Sequence, residues 1–355
     1  MAAFLVETAG GESAPVRITS WKEFARVTGA EEDPEGQRLE LSSEAWASVY
    51  GWFVNGGGEA YLVPVSAADG YKGDRQAGEP GGLAGLEAYD VTIVIAPDLW
   101  STPEDVPARA AGIAAHCERM GNRVAVLHLA QDAAPDAKAT DVLAIPAAAR
   151  PWTTAYYPWV NVTDSAGATI SVPPSGHVAG VWARVDTERG VHKAPANEDL
   201  RGVPALARNV TDAELVVLND QGVNCLRSFP GTGLLVWGAR TLAAGDSESV
   251  ELRYLNVRRT VNFIKESIHR STVWAVFEPN DDSLLASVQD AVSNFLTSLW
   301  RQGMLVGRSS AEAFYVRCDK SNNPSEGKLV CDIRVAVVRP AEFITFQVTQ
   351  DLSQD

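Results

Sequence analysis

The chain has 355 residues, 46% of them hydrophobic and 21% charged, the make-up of a globular protein with a substantial core, and two domains are the default at that length. A net charge of −15 without any basic block argues against a nucleic-acid ligand, and no run approaches the ~18 consecutive apolar residues of a membrane span, so direct membrane insertion is not expected either. The charge is uneven: residues 1–200 carry 14 Lys and Arg against 27 Asp and Glu, and residues 201–355 carry 16 against 18, so the first part suits a solvent-facing surface and the second suits buried contacts or protein partners.

The opening "MAAFLVETAGGESAPVR" has no basic n-region and no long apolar run, so a signal peptide is not expected, and no element is predicted there. "ITSWKEFARVTG" reads as a short helix opened by Thr19 or Ser20 and closed by Gly29. In the next helix Ser42 or Ser43 is the cap, and Trp46, Val49, Trp52 and Phe53 fall at helical spacing. Asn55 and the glycines after it end that helix, and "EAYLVPV" reads as a strand. Residues 66–82 are rich in Gly and Asp and read as an exposed loop.

A strand–helix–strand alternation follows. "VTIVIAP" and "RVAVLHL" are short apolar runs suited to buried parallel strands, with a helix ending at Gly121 between them. "AYYPWVNVTD" reads as one further strand near Pro158. "SGHVAGVWARVDTERG" reads as a helix capped by Ser175 and ended by Gly190, with Val178, Val181, Trp182 and Val185 on its apolar face.

Beyond about residue 240 the pattern turns to amphipathic helices. One carries Val257, Val261, Ile264 and Ile268 on a stripe, with Arg258, Arg259, Lys265 and Glu266 on the other side. A second faces Leu285, Val288, Val292, Phe295, Leu296 and Leu299 inward and stops before Gly303. "KLVCDIRVAVVRP" reads as a strand. "EFITFQVTQ" alternates cleanly, with Ile344, Phe346 and Val348 on one face. Such a strand either closes its own sheet or adds to the sheet edge of another subunit.

Few side chains point to chemistry. The glycines of "NGGGE" and "GTG" lack the Lys-Ser/Thr of a P-loop and the strand-to-helix setting of a dinucleotide fingerprint. Cys117, Cys225, Cys318 and Cys331 form no C-x-x-C pair and read as free buried thiols; no metal or other cofactor is expected. Ser175, His177 and His192 are the candidates for an α/β-hydrolase site, but no G-x-S-x-G elbow is present and Ser175 sits where a helix cap is the common role. The loop "RGVHKAPAN" holds Gly190, His192, Lys193 and Pro195, and anchoring one segment on another explains it better than catalysis does.

Several stretches, in order over about 300 residues, carry a family resemblance: "FVNGGGEAYLVPV", "CERMGNRVAVL", "VPPSGHVAGVWARVDTERGVHKAPAN", "LNDQGVNCLRSFPGTGLLVWGARTL", "YLNVRRTVNFIKESI", "VFEPND", "FLTSLWRQGMLVG", "EAFYVRCD" and "VRPAEFITFQV". Together they resemble the tail sheath proteins of contractile phage tails and of phage-tail-like contractile injection systems. The resemblance implies an α/β fold: an outer, subtilisin-like but non-catalytic α/β domain over 1–240, and an inner α+β domain over 241–355. It implies a linking strand at 342–350 bearing Phe343, Ile344, Phe346 and Val348 for inter-subunit sheet augmentation. The implied function is structural rather than enzymatic: six-subunit rings stack around an inner tube, and contraction drives the tube through a target envelope. The implied partners are further copies of the chain, the inner tube protein, and baseplate and terminal cap proteins. Assembly is expected in the bacterial cytoplasm, ahead of incorporation into an injection particle or virion tail. Arg258, Arg259 and Lys265 either meet the tube or form a solvated helix face. Family members begin with an extended arm bearing a "PGVYVEE"-like motif, which "MAAFLVETAGG" does not match, so the exchange scheme stays open. The competing readings are the hydrolase and an assembly protein that never contracts.

Overall fold

A computed structural model describes residues 1–8, 13–29, 39–74, 80–164, 167–245, 252–321 and 329–342. Its centre is a nine-stranded mixed sheet. The chain begins with β1 (Ala2–Glu7), followed by the edge strand β2 (Val16–Ile18), α1 (Trp21–Val27), α2 (Ser43–Val54) and β3 (Ala60–Val65). Then come α3 (Gly82–Gly85), β4 (Ile93–Ile95), α4 (Val106–Met120), β5 (Val124–His128), α5 (Ala139–Val142) and β6 (Thr153–Tyr157). A small antiparallel sheet interrupts with β7 (Val160–Thr163) and β8 (Thr169–Val172), before α6 (Ser175–Arg189), β9 (Glu198–Asp199), β10 (Ala205–Leu206) and α7 (Asp212–Asp220). The main sheet finishes with β11 (Val223–Phe229) and β12 (Gly233–Trp237), giving the order β2-β3-β1-β4-β5-β6-β11-β12-β9.

The run β3-β1-β4-β5-β6-β11 is parallel, and helices cover both of its faces, as buried parallel strands require. Strand alternation divides the core. Ala2, Phe4 and Val6 point to the layer made by α2 and α6, and Ala3 and Leu5 point to the layer containing α4. All five of β1's leading residues are fully buried, so the stretch for which no element was predicted holds an interior strand of the sheet. Its signal was the five-residue apolar run "AAFLV", short enough for a buried strand.

The helices α2 and α6 pack closely because glycines stand at their crossing. A Cβ on Gly51 would lie 2.4 Å from the His177 ring, and one on Gly180 would lie 2.5 Å from the Trp52 carbonyl. Ser42 caps α2, accepting from the Ala45 N–H at 2.9 Å, and Ser20 caps α1. Gly121 ends α4 at φ 66°, in the left-handed region that a glycine adopts without steric cost.

Three local expectations change. "AYYPWVNVTD" is two strands in two sheets, split at Pro158, because β6 pairs with β5 and β7 pairs with β8 and β10. The loop at 66–82 is not uniformly exposed: Tyr71 is fully buried, its hydroxyl donating to Glu7 Oε1 at 2.7 Å. Ser175 is the first residue of α6 rather than its cap; Pro174 precedes the helix and the Ser175 hydroxyl caps nothing.

The remaining chain forms a separate apolar cluster. It comprises α8 (Leu255–Ser271), α9 (Asp282–Arg301), α10 (Ser310–Ala313) and the hairpin β13 (Phe314–Arg317) and β14 (Asp332–Val335). Leu285, Val288, Val292, Leu296 and Leu299 of α9 fill it as the periodicity predicts, with Leu284 joining them. Phe343, Ile344, Phe346 and Val348 lie outside the described residues.

Candidate assembly site

The sheet half and the helical half meet along α8. Its first two turns are buried on all sides, Arg258 and Arg259 included at 6% exposure each, so the apolar stripe is not the only inward face. The side expected to be free for a tube faces the sheet half instead. The Arg258 guanidinium stacks 3.8 Å over the Trp152 ring, and burial pushes its pKa down to about 10. Arg259 grips both carboxylate oxygens of Asp186 on α6, with Nη1 to Oδ1 at 2.9 Å, and lies 4.8 Å over Trp182. Lys265 is exposed, but its Nζ stands 2.8 Å from where a Cβ on Gly121 would sit, at the end of α4. Arg270 continues the seam to Asp90 at 2.7 Å. Buried guanidiniums are costly unless paired or stacked, and this seam supplies a carboxylate and two indole faces.

The loop after α6 belongs to the same junction. Gly190 closes the helix at φ 87°, and its N–H returns to the Asp186 carbonyl. The His192 carbonyl accepts from Asn256 Nδ2 at 2.8 Å, and the same amide nitrogen donates to Val338 O at 3.0 Å. One side chain of α8 thus ties the loop to the C-terminal segment. Lys193 folds onto its own loop, reaching Ala196 O at 3.1 Å and Glu198 Oε1 at 3.2 Å, while Pro195 is buried. Nearby, Arg240 binds Glu342 through Nε–Oε1 at 2.9 Å and Nη2–Oε2 at 2.6 Å, and donates to Asn219 O at 2.8 Å. Glu342, the first residue of the predicted linking strand, is thereby held on the sheet half. A groove of about 780 Å³ opens beside it, walled by Leu215, Val216, Trp237, Val338 and Pro340.

The three hydrolase candidates do not converge. Ser175 and His177 are fully buried at the start of α6, and neither side chain has a hydrogen-bond partner among the described residues. Burial alone pushes His177 down to about 4, so it is a neutral ring packed against Gly51. His192 follows the far end of the same 15-residue helix, about 22 Å away at 1.5 Å per residue. Among the described residues no cluster of His, Cys, Asp and Glu is arranged to hold a metal. No described helix is long and apolar enough to cross a membrane.

The turn joining α8 to α9 exposes Val273, Trp274, Val276 and Phe277, and Phe277 is fully exposed with a positive φ of 69°. An exposed apolar cluster of this kind marks a contact surface, and periodicity did not flag it because it lies between two helices rather than on one.

Comparison with known proteins covers both halves. The profile of the phage tail sheath protein central domain matches residues 68–242, and that of the phage tail sheath C-terminal domain matches residues 247–351. The structure is similar to the sheath of an extracellular contractile injection system, PVC, in its contracted state, with a TM-score of 0.79, 32% identity, and coverage of 99% of this chain and 91% of that one. It is also similar to a chain of the anti-feeding prophage baseplate, with a TM-score of 0.78, 30% identity, and coverage of 99% and 93%. The tail sheath protein of Burkholderia phage BcepMu is 32% identical over 202 residues, 54% of this chain. That match spans 41% of the phage protein, so the chain covers less than half the length of this curated relative.

Proposed function

The chain belongs to the contractile tail sheath family, and from that premise we propose that it is the sheath subunit of a contractile injection machine, stacking as six-subunit rings around an inner tube and shortening to drive the tube through a target envelope. The observation that carries this is likeness along 99% of the chain to a sheath captured in the contracted state. Copies of itself, the tube protein, and baseplate and cap proteins are the partners of this reading, and the anti-feeding prophage baseplate match supports the baseplate contact. The sheet half is the outer, subtilisin-like and non-catalytic layer, and the helical half with its hairpin is the inner layer.

A sheath must stay connected while its subunits rotate. An exchanged strand does this, since main-chain hydrogen bonds hold two subunits together without fixing the orientation of their domains. Phe343, Ile344, Phe346 and Val348 are assigned that role, and the Arg240–Glu342 pair anchors the strand's root. The buried seam at Arg258 and Arg259 supports a subunit that moves as one body, with movement confined to contacts between subunits. Energy for contraction is stored in the extended lattice, and no nucleotide is required at firing.

The test is electron microscopy of particles made by expressing the chain with its neighbouring structural genes. Long tubular sheaths of two lengths, extended before triggering and shorter and wider after it, are expected. One sheath length under both conditions would remove contraction from the reading, and a chain that never polymerises would remove the sheath role itself.

A further inference from the structure

Two cysteines face each other across the hairpin of the helical half. The antiparallel ladder runs from Phe314 opposite Val335 to Arg317 opposite Asp332. One step further sets Cys318 opposite Cys331. Facing residues in such a ladder lie about 4.5–5.5 Å apart at Cα, inside the roughly 4.4–6.8 Å that a disulfide spans. The two thiols are free, and each perturbs the ionisation of the other. Cys318 is held in the core at 3% exposure, and its N–H donates to Gln289 Oε1 at 2.9 Å. Cys331 packs on the same core but is only half-buried, so an oxidant reaches it first. The other two cysteines have different settings: Cys225 faces Trp237 across its ladder, and Cys117 sits within α4.

We propose that Cys318 and Cys331 are a latent cross-strand disulfide, reduced when the chain folds and closed by a peroxide-class oxidant. The Cys331 sulfur attacks the peroxide, the O–O bond breaks, and a sulfenic acid and one water form. The Cys318 sulfur then displaces the sulfenic oxygen as a second water, and both thiol protons leave in the two waters. Two thiols are oxidised to one disulfide and one hydrogen peroxide is reduced. Burial raises both thiols, Cys331 to about 12, so thiolate is scarce at neutral pH and closure is slow. The bond is therefore a clamp set by prolonged exposure rather than a rapid sensor. Once set, it ties β13 to β14 independently of their ladder.

The test uses the reduced full-length chain, incubated with hydrogen peroxide under native conditions and digested with trypsin without reductant. Cleavage around the two sites releases "CDK" (318–320) and "LVCDIR" (329–334). The expected product is these two peptides joined, with an intact mass lower by about 2 Da, reversed by dithiothreitol and absent from Cys331→Ser. The native chain should yield this link alone, whereas the urea-unfolded chain should yield mixtures that include Cys117 and Cys225. Recovery of both peptides separately with alkylated thiols overturns the proposal. So does stable oxygen addition at Cys331 without a link, a native link through Cys117 or Cys225, or a disulfide-joined dimer.

Discussion

Arg259→Ala tests the seam most directly. The wild-type guanidinium makes a two-pronged contact with Asp186, its side chain is 5% exposed, and it lies over Trp182. A charge-assisted hydrogen bond contributes about 1.5–3 kcal/mol, and a desolvated cation–π contact about 2 kcal/mol. The Asp186 side chain is 28% exposed and finds water when the arginine goes, which keeps the cost near the bottom of the roughly 3–5 kcal/mol of a broken buried pair. The expected loss is about 3 kcal/mol for Arg259→Ala. Asp186→Ala should cost about 4 kcal/mol, because it leaves the buried cation with Trp182 alone. Arg259→Lys should restore only part of the loss, since an ammonium does not reproduce the fork. The assay is urea unfolding followed by tryptophan fluorescence, closed as a double-mutant cycle, with an expected coupling of about 2 kcal/mol. A coupling below about 0.5 kcal/mol in well-folded variants would refute the seam as the joint.

Two buried groups should give opposing pH dependences. Asp98, just after β4, is buried and accepts from the Glu7 N–H at 2.9 Å; burial raises it to about 6, above its unfolded value, so the stability from its neutral form is complete at low pH and is lost as pH rises from about 4 through 6, roughly 3 kcal/mol in all. Burial lowers His177 to about 4, so its contribution is complete above about 6.5 and is lost as pH falls toward 4, again roughly 3 kcal/mol. Asp98→Asn should therefore make the chain less stable on acidification between pH 6 and 4, and His177→Leu more stable, as read by denaturant midpoints at each pH; parallel pH profiles would contradict the assignment. Gly51→Ala should cost about 1–3 kcal/mol by forcing α2 away from His177, visible as a lower melting temperature by circular dichroism, and an unchanged melt would mean the crossing is loose. Deleting residues 343–355 should leave a folded chain that no longer forms long sheaths in sedimentation, and full-length sheaths from that truncation would remove the linking role. Phe277→Asp should leave monomer stability within about 0.5 kcal/mol while weakening assembly; unaltered assembly would show the apolar tip to be uninvolved.

Periodicity made α2, α4, α6 and α9 legible, with Ser42, Gly121 and Gly190 near their ends, because a helix that buries one face repeats its apolar positions locally. It failed where burial is two-sided. The leading "AAFLV" has no alternation to detect, and the first turns of α8 hide arginines that a one-sided pattern assigns to solvent. A local reading prices Arg258 and Arg259 as exposed because their partners, Trp152, Asp186 and Trp182, are far away in sequence. The uneven charge hinted at this pairing, since the acidic first part supplies Asp90 and Asp186 to arginines of the second. Ser175, His177 and His192 looked like a set because they are near in number, but a straight helix separates the first two from the third.

The place of β1 also governs how the chain comes off the ribosome. Its residues pair with Ala60–Val65 on one side and with Ile93–Ile95 on the other, so β1 has neither neighbour until those later segments have been made. During that interval an uncharged apolar segment waits with both backbone edges open, the condition that invites mispairing between nascent chains. Such non-local pairing is slow to form. Holding translation briefly beyond β4, or supplying a chaperone that covers short apolar segments, should therefore raise the soluble yield of the chain.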